Sequence, residues 1–400
     1  MHRANNRHLR ARRAALVGGA VAIAAVAAPV IAGVSAAAPA PTACQTTAFV
    51  TSAGEDKVVT IDVPTGVRNP SDIALGPSSL ANEVAITPDG KTALVVLTGR
   101  AAVAVIDVAT RVKTNEITVG ASPQDVAITP DGKTAFVTNF GPGSVSTIDM
   151  ATLTKDPVDI TVGQGAQQVA INGAGTIAAV TNSTDDTVST ISVATRTKDP
   201  IDIGVGDGPS GIAFTPDGAT LFVANQNGEP LPDPGKTGEV STIDVATRTA
   251  NPAISGFEHP GDVAITPDGK TAFVTNFGAD YVSTIDVATR IKGATDLEAG
   301  AHPVALGITP DGTTVYAANL DTGDITQIDV ATSVAITDIG VGGGPAGVAF
   351  TPCLTPVPPT TTTTSTSTTS STTTSTTTAP SPVTPAVAPQ AVGAAPSFTG

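Results

Sequence analysis

Val126-Ala127-Ile128-Thr129-Pro130-Asp131-Gly132-Lys133-Thr134-Ala135-Phe136-Val137-Thr138-Asn139 is two short β-rich runs joined by a turn. A third run, Val145-Ser146-Thr147-Ile148-Asp149, follows a Gly-rich loop. Proline at the second turn position presets φ, and glycine at the fourth takes a left-handed conformation cheaply. The unit predicts a tight hairpin extended by a third strand.

Working outward, the same unit recurs along the chain. The threonine that ends the first run, or its counterpart, falls at 87, 129, 172, 215, 266, 309 and 351, in steps of 42, 43, 43, 51, 43 and 42. Second-run copies start at Thr47, Thr92, Thr134, Ile177, Thr220, Thr271 and Thr314. Third-run copies end at Asp62, Asp107, Asp149, Ser192, Asp244, Asp286 and Asp329. A weaker fourth run follows each, as in Val158-Asp159-Ile160-Thr161-Val162-Gly163. Alternating β-branched residues argue against an α-solenoid of similar period. Four strands in units of 42–43 residues, seven times over, predict an all-β fold: a seven-bladed β-propeller with four antiparallel strands per blade.

The pattern also predicts how the ring closes. The N-terminal unit lacks a first run, and the C-terminal end supplies a lone one, Val348-Ala349-Phe350-Thr351-Pro352. The C-terminal inner strand is therefore expected to pair with the N-terminal blade. Counted from the template, Cys44 and Cys353, the two cysteines of the chain, reach one turn from opposite ends. They are expected to form a disulfide, as suits an exported chain. Lipidation of Cys44 is the rival, and Pro41-Thr42-Ala43 lacks the aliphatic residue of a lipobox.

Flanking segments differ in kind. Arg3, Arg7, Arg10, Arg12 and Arg13 precede an uncharged apolar run over 14–34 and then Ser35-Ala36-Ala37-Ala38. Residues 1–38 are predicted to be a secretory signal peptide, the rival being an uncleaved anchor. Residues 44–353 are assigned to the propeller. Residues 354–400 are almost pure Thr, Ser and Pro at their centre and are predicted to be a disordered, extended stalk. The chain's formal charge is −15, and removing the basic leader leaves 15 basic against 35 acidic residues, a net −20. Such a surface repels nucleic acid and anionic lipid.

With the repeat in view, the chain resembles the YVTN family of β-propellers. The strand naming that family reads Phe136-Val137-Thr138-Asn139 and Phe273-Val274-Thr275-Asn276 here, and the Ile-Asp-x-Ala-Thr run is matched at Ile285-Asp286-Val287-Ala288-Thr289. The resemblance implies a propeller; for function it implies either a surface-layer or secreted binding protein or a lactonase-like propeller.

Two departures from the repeat mark candidate sites. One is a nine-residue insertion in the loop 226–239, carrying Glu229, Asp233 and Lys236. The other is a histidine pair, His259 and His302, at the same place in adjacent units just ahead of proline. Three residues beyond that place come Glu83, Asp125, Gln168, Gly211, Asp262, Ala305 and Gly347. Imidazoles with Glu83, Asp125 and Asp262 nearby are candidate metal ligands; oxygen donors favour a divalent cation such as Ca²⁺, although no cofactor is required. The repeated Asp107, Asp149, Asp244, Asp286 and Asp329 read as turn-forming residues. No catalytic residue is singled out: there is no Gly-x-Ser-x-Gly elbow, and the disulfide uses both thiols. The leading expectation is a monomeric, secreted or cell-wall-associated binding scaffold for a protein or envelope polysaccharide, with no nucleic-acid partner and no transmembrane domain in the mature chain. The alternative is a metal-dependent lactonase-like hydrolase at the channel mouth.

Overall fold

A computed structural model describes residues 46–226 and 238–353. Within them lie seven antiparallel sheets. The template unit forms one blade: inner strand Pro123–Ile128, second strand Thr134–Asn139, third strand Ser144–Asp149 and an outer edge of Thr154–Lys155 and Ile160–Thr161. The other inner strands are Ala81–Ile86, Ala166–Ile171, Pro209–Phe214, Pro260–Ile265, Pro303–Ile308 and Pro345–Phe350. The predicted Thr-Pro-Asp-Gly turn is present, with Gly132 at φ +70° and its N–H donated to the Thr129 carbonyl at 2.8 Å.

Closure follows the expectation. Pro345–Phe350 pairs antiparallel with Thr47–Ser52, which pairs in turn with Lys57–Asp62. Even the turn chemistry survives the break in the chain. The Thr351 N–H donates to the Thr47 carbonyl at 2.9 Å, and the Thr47 N–H donates to Thr351 Oγ1 at 2.8 Å. Thr129 and Thr134 make the same two bonds inside one hairpin. Cys353 lies beside the neighbouring Thr309-Pro310-Asp311 turn and is not a free thiol; Cys44 lies outside the described residues.

Seven apolar layers, one between each adjacent pair of blades, take the place of a single core. Phe136 and Val145 pack with Ala166, Val180 and Ile191 of the next blade, and Tyr316 packs with Val50 and Ile61 across the closure. The aromatic of the second strand (Phe49, Phe136, Phe222, Phe273 or Tyr316) is fully buried in these layers. A chain without Trp can build such a core because each wedge is thin, and β-branched residues with one aromatic fill it.

The outer edge departs from the simple fourth strand expected. In the template blade Asp156-Pro157 splits it into two short pieces, and Asp199-Pro200 splits the following one. Proline offers no N–H to a passing strand, so the split also blunts an exposed edge. Behind this edge runs a side-chain relay that the sequence reading missed. Asn139 Nδ2 donates to Ser146 Oγ at 3.0 Å, Ser146 Oγ donates to Asp159 Oδ1 at 2.8 Å, and Lys155 Nζ pairs with Asp159 at 2.6 Å. The relay repeats through Asn182, Ser189, Asp202 and Lys198, and through Asn276, Ser283, Asp296 and Lys292. Because Ser146 is buried between two polar partners, Ser146→Ala is expected to cost about 1–2 kcal/mol in chemical denaturation. Thr110→Ala, at an exposed turn, is expected to cost less.

Candidate functional site

The inner strand does not pair cleanly with the second. In the template blade the register runs Ile128–Ala135, Ala127–Phe136 and Val126–Val137, then slips so that Pro123 faces Asn139. The slip is a bulge that frees Gln124 and Asp125 from the ladder. Thr138 fills it: its Oγ1 accepts from the Asp125 N–H at 3.0 Å and donates to the Gln167 carbonyl of the next blade at 2.7 Å. Thr181 does the same with Gln168 and Ser210. The Thr of the Val-Thr-Asn strand is thus the stitch that holds blade to blade around the channel.

Gln124 and residues from the other six blades line a cavity of about 360 Å³ at one mouth of the channel. On one arc the wall is polar, with Glu83 set among the neutral groups of Asn82, Gln124, Gln167, Gln168, Ser210 and Gln226. On the other it is apolar: Ala53, Phe277, Val304, Leu320 and Ala346, with Gly261 between. Asn82 Nδ2 donates to Gln124 Oε1 at 3.1 Å, so the amides are linked along the arc.

Three acids stand at this ring. Asp125 accepts the N–H of Val126 at 2.6 Å and, across the blade boundary, that of Val169 at 2.8 Å. Asp262 repeats this with Val263 and Leu306, both at 2.8 Å. Gln168 uses its Oε1 for the same cross-blade bond, to the Ile212 N–H at 3.1 Å, and its amide also reaches Asp262. Glu83 is held by one backbone N–H, that of Val84, and is the acid that lines the cavity. Glycines make room for these side chains: a Cβ on Gly347 would lie 2.5 Å from Glu83 Oε2, and one on Gly211 would lie 2.9 Å from Asp262 Oδ1.

Burial in the channel dominates the titration of all three acids, because the surface they keep faces a narrow lumen rather than bulk water. It pushes Asp125 up to about 7 and Asp262 up to about 6, against the pull of the backbone N–H groups they accept. Glu83 is pushed well above the usual carboxylate range by burial first, then by repulsion from Asp125 and Asp262.

The other predicted site residues fall elsewhere. His259 is buried, with Nδ1 2.9 Å from the Gln226 carbonyl, and braces the backbone where the loop 226–239 begins. His302 lies at the rim, stacked on Phe277 with ring centroids 4.9 Å apart and Nδ1 2.7 Å from Asp321 Oδ2. Both take positive φ, 50° and 53°. The acids stand around the channel on separate blades, while the two imidazoles turn to partners of their own. Among the described residues no three His, Cys, Asp or Glu side chains are grouped to hold one metal ion. Glu229, Asp233 and Lys236 lie outside the described residues. The repeated aspartates act locally: Asp107, Asp244, Asp286 and Asp329 each accept the N–H of the threonine three residues on at 2.7 Å. No helix among the described residues is long and apolar enough to cross a membrane.

The family described as "Lactonase, 7-bladed beta-propeller" matches residues 84–341. The chain therefore belongs to the seven-bladed propeller lactonase family. Among solved structures it is similar to a putative 6-phosphogluconolactonase from Bacteroides fragilis NCTC 9343, at 20% identity and TM-score 0.63, covering 78% of this chain and 99% of that one. A putative 6-phosphogluconolactonase from Bacteroides uniformis ATCC 8492 follows at 17% and 0.64, covering 77% and 99%. Kuenenia stuttgartiensis hydrazine synthase is similar at 21% and 0.62, covering 68% and 90%. At these identities the likeness is one of fold. No curated protein matches the chain.

Proposed function

We propose that the chain is an exported lactonase-like hydrolase that opens cyclic esters at the channel mouth, with Glu83 as the reacting carboxyl. The observation that carries this reading is a carboxyl group with a raised proton affinity facing a cavity lined with amide donors, in a chain of the lactonase family. A carboxylate of raised pKa is a stronger base than an ordinary one, as general-base attack by water requires. Glu83 takes a proton from water, the resulting hydroxide attacks the lactone carbonyl, and the ring C–O bond breaks. The same proton returns to the leaving alkoxide, giving a hydroxy acid. Amide N–H groups of Asn82, Gln124 or Gln167 stabilise charge on the carbonyl oxygen.

A pH-stat assay of the purified propeller with δ-lactones tests this. Acid release that depends on Glu83 and persists after treatment with EDTA supports the carboxyl as base. Loss of acid release in EDTA, restored by Ca²⁺, would instead support the divalent-cation version of the reaction.

The binding-scaffold reading has one observation in its favour. Both oxygens of Asp125 and of Asp262 are taken by backbone N–H groups, so these acids have a structural reason to be where they are. Saturable lactone binding without turnover would favour it. Export and the terminal disulfide belong to the same proposal. Peptide mapping of the secreted protein without reductant is expected to recover the Cys44 and Cys353 peptides joined, with a mature N-terminus near residue 39. Two free thiols would overturn the closure.

A further inference from the structure

The cavity's two unlike arcs carry an inference about the substrate, which rests on the hydrolase reading above. Blades contributing Asn82, Gln124, Gln167 and Ser210 present uncharged hydrogen-bonding groups, whereas those contributing Phe277, Val304 and Leu320 present hydrocarbon. Among the described residues lining the cavity there is no Lys or Arg, and three acids stand at the same ring. A phosphorylated ligand would lose its hydration there and meet carboxylates in place of the cations that phosphate sites use. An uncharged ring ester meets no such opposition: its oxygens suit the amide arc, and an alkyl arm suits the apolar one.

We propose that the site takes an uncharged lactone bearing a hydrocarbon arm and rejects phosphorylated sugar lactones, with Phe277, Val304 and Leu320 holding the arm. The chemistry of the wall thus points away from the phosphorylated lactone for which the similar Bacteroides structures are named. The stack of His302 on Phe277, fixed by Asp321, holds the aromatic in place at the rim.

The test uses three lactones and one inert probe on the intact secreted protein. δ-Valerolactone, δ-decanolactone and 6-phosphoglucono-δ-lactone are compared by kcat/KM, and 6-pentyl-2-piperidone, the lactam of the decanolactone, is titrated by calorimetry. δ-Decanolactone is expected to exceed δ-valerolactone by at least tenfold, since each buried methylene can contribute about fourfold. The phosphorylated lactone is expected to be the poorest of the three. Leu320→Ala and Phe277→Ala should each lower kcat/KM for δ-decanolactone several-fold more than for δ-valerolactone, with melting curves to confirm folding. A preference for the phosphorylated lactone, or a chain-length response unchanged in both variants, overturns the proposal. If the lactam binds with its affinity lowered in both variants while no lactone is hydrolysed, the hydrolase reading fails and the ligand class stands. If neither lactam nor lactone binds, the ligand class fails.

Discussion

Glu83→Gln is expected to leave a folded propeller and to lower kcat for a neutral lactone by about 10²- to 10⁴-fold, the usual weight of a positioned acid or base. The amide occupies the same space beside Gly347 and keeps an oxygen for the Val84 N–H. It cannot take a proton from water. Steady-state kinetics with circular dichroism on the same preparation check both halves of the expectation. A pH profile adds a signature that a merely structural residue would not produce. Since Glu83 must be ionised to act as base, activity should rise with pH through its raised pKa. Asp125 and Asp262 both help raise that pKa by repulsion. Removing either charge, in Asp125→Asn or Asp262→Asn, should therefore move the acid limb to lower pH. Limbs that coincide in wild type and both variants would show that another group carries the reaction.

The second large effect is on stability. Asp125 holds its proton more tightly in the folded chain, near 7, than at its ordinary 3.8. A group raised on folding stabilises fully below its unfolded value, and that contribution is lost as pH rises through the folded value. The loss between pH 4 and 8 is up to about 4 kcal/mol for Asp125, and Asp262 acts in the same direction over a slightly lower range. The wild-type chain should thus become less stable toward pH 8. Asp125→Asn should flatten that slope, at a pH-independent cost of about 1–3 kcal/mol for the one backbone N–H an amide leaves unpaired. Gln168, which makes the cross-blade bond through an amide oxygen in the neighbouring blade, shows that this geometry accepts an amide. Turn acids such as Asp131 and Asp268, held at about 2 by Thr, Lys and backbone donors, work the opposite way, but only below the usual carboxylate range. The two windows separate in a denaturation series. An Asp125→Asn slope equal to wild type would mean that the channel hydrates its acids as bulk water does.

How the site was legible follows from the same residues. Glu83, Asp125 and Asp262 could be placed together on paper because they occupy one repeat position, and a propeller brings equal positions to one ring. Gln124, Gln167 and Asn82 could not. Strict strand alternation sends neighbouring residues to opposite faces, and only the bulge opposite Thr138 releases residues 124 and 125 together. The histidines show the same limit. His259 and His302 share a repeat position, but Gln226 comes from a loop of the blade before His259 and Asp321 from a loop of His302's own blade, so the two rings find different partners.

Sequence alone determined the number of blades, the strand order within each, and the junction of the first and last strands, because periodic apolar alternation and turn chemistry are local and repeat seven times. Only the tertiary structure decided which side chains face the channel, how far burial raises their proton affinity, and that the cavity divides into an amide arc and an apolar arc. Those properties arise between blades, from bulges, glycine gaps and backbone donors in a neighbouring unit, and no single repeat contains them.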